Sequence, residues 1–159
     1  MIHHIWTVVC RNCLVDKDTN TISLIEVIEE VAVVADILSR PTPPPRQLAN
    51  MSMPIFNVVS YWCRERDETP EKGRARLRVI NPTGEAHLIG ENEVDLTEFT
   101  RLRHVNKLLG LPGSSPGKYQ FEISRLEGDN WVPVFHLPFW IQLPSPPEPA
   151  AQPANSSPG

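Results

Sequence analysis

Residues 118 to 124 alternate without exception. Tyr119, Phe121 and Ile123 are apolar, while Lys118, Gln120, Glu122 and Ser124 are polar. Only an extended strand sends every second side chain to one face, so this stretch buries one face and wets the other. The same rhythm returns where Ala75, Leu77 and Val79 interleave with Arg74, Arg76 and Arg78. A chain written in period two cannot close as a helical bundle. It predicts an all-β protein.

Reading every such run gives about eight strands, at 2–15, 21–34, 54–66, 74–80, 86–95, 99–108, 118–126 and 131–143. Turn signals separate them at the spacing of a sandwich. Asn81-Pro82-Thr83-Gly84 is a β-turn with Pro at its first central position. Thr69 to Gly73 and Gly128-Asp129-Asn130 read as two further hairpin turns, and Asp16 to Asn20 as a polar one. Pro133 and Pro138 interrupt the last strand and require an edge or a bulge there. One segment fits two structures: Leu102, Val105, Leu108 and Leu109 also have helical spacing over 98–109. Tyr119 opens the penultimate strand after a Gly/Pro-rich turn, where a tyrosine corner sits in Greek-key sandwiches. The expected architecture is an antiparallel two-sheet β-sandwich, immunoglobulin-like or C2-like.

Proline placement bounds the domain. Of 17 prolines in 159 residues, four lie at 41, 43, 44 and 45 and six between Pro144 and Pro158. The first group marks an extended loop at 40–49. The second marks a tail, 144–159, without aromatic or β-branched residues, which cannot bury enough surface to fold. A single domain at 1–143 remains. Its size suffices for a core of its own.

Charge narrows the function. The net charge of −4 lacks the Lys/Arg surplus that a dedicated nucleic-acid binder uses against phosphates, and it disfavours anionic membrane surfaces. No apolar run approaches the roughly 20 residues of a membrane span. The N-terminus has no basic region of the secretory type. Three cysteines are too few and too odd for a disulfide framework, which suits a reducing cytoplasm.

Three places carry a resemblance. Cys10 lies on a first strand that leads through an Asx-rich turn into Ile22-Ser23-Leu24-Ile25-Glu26-Val27. A middle strand ends in Asn81-Pro82-Thr83-Gly84-Glu85. Leu109-Gly110-Leu111-Pro112 leads to Pro116-Gly117-Lys118-Tyr119-Gln120-Phe121. In these features the chain resembles an uncharacterised family of small bacterial β-sandwich proteins, over residues 1 to about 143. The resemblance implies a fold and a bacterial origin, and it assigns no catalytic residue.

Candidate sites are few. Cys10 and Cys13 form a CxxC, but on a strand i and i+3 point to opposite faces. A zinc site would have to add Cys63, His3 or His4. Asp16, Asp18 and Asn20 open like a calcium loop, yet Thr21 and Val27 stand where it needs Gly and Glu. Glu91, Glu93 and Asp95 share a strand face, as solvated carboxylates do. His87, His104 and His136 stand apart from each other. No nucleophile elbow, phosphate loop or zincin helix is present. Pro41 to Arg46 fits P-x-x-P-x-R and reads as a rigid spacer.

The densest basic cluster is Arg64, Arg66, Arg74, Arg76 and Arg78, expected as a cross-strand hairpin at 64–78 able to hold an anion or an acidic partner. Glu65, Asp67, Glu68 and Glu71 are the carboxylates expected to neutralise it. The sequence therefore points to a non-enzymatic interaction or structural module with a protein partner and no cofactor. A CxxC metal or redox site and an anion or nucleic-acid contact through the arginines are the alternatives.

Overall fold

The computed structural model describes residues 1–32, 55–66, 68–111 and 116–142. The proline loop at 40–49, the tail at 144–159 and the Pro41–Arg46 motif lie outside the described residues. Among the described residues nine strands form in order: β1 (Ile2–Val15), β2 (Ile22–Val27), β3 (Glu30–Ala32), β4 (Phe56–Arg64), β5 (Glu71–Ile80), β6 (Ala86–Leu96), β7 (Arg101–Leu108), β8 (Gly117–Glu127) and β9 (Asn130–Gln142). They make two sheets, β2-β1-β4-β7 and β3-β9-β8-β5-β6. Every pairing is antiparallel except that of β3 with β9. The all-β sandwich expected from the alternation is the observed fold. No helix among the described residues is long and apolar enough to cross a membrane.

Alternation builds the core as predicted. Ala75, Leu77 and Val79 of β5 and Tyr119, Phe121 and Ile123 of β8 are buried, facing Val9, Phe56, Val58 and Trp62 of the other sheet. Phe56, Phe121 and Phe139 pack with centroids 5.6 to 6.2 Å apart. Burying each ring stabilises the fold by about 2–3 kcal/mol. Tyr119 is fully buried at the start of β8, as a structural tyrosine there should be.

One open choice is settled and two expectations change. Within 98–109 the strand expected at 99–108 forms, not the rival helix: β7 lies in register against β4 from Phe56↔Leu108 to Cys63↔Arg101. Leu108 enters the core while Val105 stays exposed, the division a strand makes between i and i+3. The expected strand at 21–34 breaks at Ile28 and Glu29, because its two halves join different sheets. Ile28 N donates to Val9 O at 2.8 Å, and Trp140 N donates to Glu29 O at 3.3 Å. Finally, Thr69 to Gly73 is no hairpin: β4 and β5 lie in different sheets, and Glu71 to Gly73 already belong to β5, paired with β6.

The other turns hold. Gly84 N donates to Asn81 O at 2.9 Å, and Asn81 Oδ1 accepts from Thr83 N, Thr83 Oγ1 and Glu85 N. Gly128 joins β8 to β9 with φ +59°, as the first central residue of a type II′ turn requires. The prolines of β9 are accommodated by a bulge: Ile123 pairs with Phe135 and Ser124 with Pro133, leaving Val134 over.

Candidate functional site

With Ala75, Leu77 and Val79 turned inward, β5 presents Lys72, Arg74, Arg76 and Arg78 on the outer face of the five-stranded sheet. Register then places Asp95, Glu93 and Glu91 of β6 opposite Lys72, Arg74 and Arg76. Lys72 Nζ lies 2.6 Å from Asp95 Oδ2. Together with two hydrogen bonds from Thr97, Lys72 holds the Asp95 carboxyl down at about 2. Arg74 pairs diagonally with Glu91. The carboxylates of 91–95 are thus a solvated face, and also the counterions of β5.

On the other side of β5, Arg78 donates through Nε (3.0 Å) and Nη2 (2.6 Å) to Glu122 Oε1 on β8. Ser124 Oγ donates to the same oxygen at 2.8 Å, and His136 Nε2 lies 3.6 Å from Oε2. Glu122 is buried, which by itself would raise its pKa. The Ser124 and Arg78 hydrogen bonds outweigh that and hold it below the usual range.

Arg76, between these two pairs, makes no hydrogen bond or ion pair among the described residues. Its guanidinium lies over the Trp131 ring, 4.6 Å from the centroid, with Arg74 at 5.6 Å. Its Nε is buried without a partner. Burial, and then the charge of Arg78, lower its pKa. At the far end of β8 a second cation repeats the arrangement: Lys118 Nζ lies 5.5 Å from the Trp140 ring centroid.

Arg64 and Arg66 do not belong to this face. Arg64 ends β4 in the other sheet, where it donates to Leu96 O and, at 2.7 Å, to Thr97 O. Arg66 is exposed in the bend that follows. The five-arginine hairpin therefore divides, because the chain changes sheet between its halves. The expected neutralising groups change too. Glu65 and Glu71 face the Met1 amine instead, and Asp67 lies outside the described residues. The arginines are met by Glu91 and Glu122.

The cysteines are kept apart. Cys10 is buried and Cys13 half-buried, and no disulfide joins the three cysteines. Burial pushes the Cys10 and Cys13 thiols up, away from the thiolate that attacks disulfides or binds metal. Cys10 sits opposite Asn57, six residues before Cys63 on β4, which puts about 20 Å between the two sites. His3 is the register partner of Cys63, while His4 packs inside between Trp62 and Phe135. No group of three or more potential metal ligands forms among the described residues. Asp16 Oδ1 is spent inside its own turn, accepting from Asp18 N and Thr19 N.

A shallow cleft of about 590 Å³ opens at the other end of β4, lined by Arg11, Asn12, Cys13, Ile55, Asn57 and Lys107. It brings a thiol near two cations but no base beside it.

Sequence reasoning missed Trp131 as the platform under Arg76, and Glu122 as the partner of Arg78. The signal was available in the hairpin. Gly128-Asp129 as a two-residue turn sets Trp131 opposite Leu126, and the bulge that leaves Val134 over then shifts the register by one, so that Glu122 meets His136.

Fold and site together define a two-sheet β-sandwich with a charge-paired outer face and no convergent catalytic group among the described residues. No protein-family model, curated protein or solved structure matches the chain.

Proposed function

We propose that this chain is a non-enzymatic binding module that accepts an extended segment of a partner protein along the free edge of β2. One observation carries the reading. β2 hydrogen-bonds β1 on one side and no described strand on the other. Its sequence, Ile22 to Val27, contains neither proline nor lysine, the usual protections of an open edge. Leu14, Val15, Ile25 and Val27 are exposed around it. The edge of β9, by contrast, carries Pro133 and Pro138 and is closed by β3 at its end. The kink at Glu26, with φ +53°, confines the regular edge to Ile22–Ile25. An added strand would gain main-chain hydrogen bonds and apolar contacts there.

The strand order β9-β8-β5-β6 against β1-β4-β7, with β3 parallel to β9, supports an immunoglobulin-like arrangement. Three cysteines without a disulfide among them support a reducing compartment. On that ground, and on the resemblance of its turn and core residues to those expected of a bacterial β-sandwich family, we propose a bacterial cytoplasm as its location.

Affinity capture from native cells with the full chain, beside its Ile25→Lys variant, tests the reading. The variant, altered at an exposed position, should unfold at the wild-type temperature and lose the captured protein. Equal capture by both would overturn the edge. A hydrolase or transferase activity abolished by a point substitution would overturn the non-enzymatic reading.

A further inference from the structure

Two cations on the outer face of the five-stranded sheet differ from their neighbours. Lys72, Arg74 and Arg78 each meet a carboxylate. Arg76 and Lys118 meet none among the described residues, and each lies against a tryptophan instead. An indole face attracts a cation without neutralising it, and holds the side chain flat so that its outer donors stay available. Counted over the whole face, Lys72, Arg74, Arg76 and Arg78 are equalled in number by Asp95, Glu93, Glu91 and Glu122, but Asp95 and Glu93 pair with Lys72 while Glu91 and Glu122 pair with Arg74 and Arg78. Arg76 is the guanidinium left without a carboxylate in contact. One such fork matches a single carboxylate in charge and in planar geometry.

Spacing makes the pair more than two separate charges. Arg76 is the register partner of Ser124, and Lys118 lies six residues earlier on β8, so about 20 Å separates their rungs. Pro133, His136 and Pro138 of β9 are exposed beside the path between them, offering a wall without a lysine or arginine.

We propose that an acidic extended segment of a partner protein lies along the β8–β9 outer face, with one carboxylate on Arg76 and a second, about six residues away, on Lys118. This surface is on the opposite sheet from β2, so the proposal stands or falls independently of strand addition at that edge.

The probe is a fluorescently labelled peptide with two glutamates about six residues apart in a Ser/Thr background, titrated against the full chain at low salt. The wild type should bind it, and a peptide with both glutamates changed to glutamine should bind at least about tenfold more weakly. Arg76→Gln and Lys118→Gln should each weaken binding several-fold, and the double variant should abolish it. Arg76→Lys, which keeps the charge, should restore part of the affinity if Arg76→Gln is stably folded. Should Arg76→Gln fail to fold, Lys118→Gln and the glutamine peptide carry the test. Undiminished binding in the double variant overturns the proposal. So does equal binding of a single-stranded oligonucleotide, which would make the face a general polyanion surface. Failure of the wild type to bind until residues 143–159 are removed would assign the face to the chain's own C-terminal segment and overturn it as well.

Discussion

At the scale of single residues, the most consequential ionisable group is partly buried against the core. His4 is wedged between Trp62 and Phe135, with ring centroids 5.1 and 4.9 Å away, and its Nε2 lies 2.7 Å from Thr7 Oγ1. Burial pushes its pKa down to about 4. The unfolded chain binds this proton near pH 6.5 and the folded chain resists it, so the unfolded state takes up more protons between the two values. Stability should be fully present above pH 6.5 and decline as the pH falls towards 4, by an amount on the order of 2–3 kcal/mol. Urea titrations across that range should show the slope, and His4→Phe should flatten it. An identical slope in that variant would place the acid sensitivity elsewhere. The sequence contained this histidine but not its surroundings. A bulge at Ile5 separates the His4↔Trp62 pair from Trp6↔Tyr61, so position parity alone could not say which of His3 and His4 packs against the core aromatics.

At the scale of elements, the turns that could be read were those whose hydrogen bonds close within a few residues. The Asn81–Glu85 turn is one: the Asn81 side-chain oxygen alone accepts three hydrogen bonds. Asn81→Ala should cost about 1–2 kcal/mol in chemical denaturation, since two backbone amides lose their acceptor but remain near water. A loss under a few tenths would mean that solvent replaces that acceptor fully. What could not be read were connections decided by distant partners. Thr69 to Gly73 has the composition of a hairpin turn, yet Arg64 is fixed to Leu96 and Thr97 while β5 pairs with β6 and β8. Local chemistry specifies that the chain turns, and the choice of sheet depends on faces far apart in sequence. Segment 98–109, read as a strand with a helix as its rival, stayed open between the two for a related reason. Spacings of three residues fit a helical stripe as well as a strand that buries Leu108 and exposes Val105. Only the β4 register separates the two.

At the scale of the whole molecule, alternation sufficed for the architecture because both sheets draw their inner faces from it. The candidate sites were less legible, since they depend on which strands become neighbours. Arg64 and Arg74 are close in sequence and end on different sheets, whereas Arg76 and Trp131 are distant in sequence and stack. A further consequence follows from Ile28 and Glu29. These consecutive residues take part in hydrogen bonds to opposite sheets, the first donating to Val9 and the second accepting from Trp140. Neither sheet can peel away at this corner without straining a bond that secures the other. The amide protons of Ile28 and Trp140 should therefore exchange with deuterium through one shared opening, with protection that rises and falls together as denaturant is added. Separate opening energies for the two amides would show that the sheets loosen singly. A common value would make this dipeptide the latch through which the sandwich opens as one body.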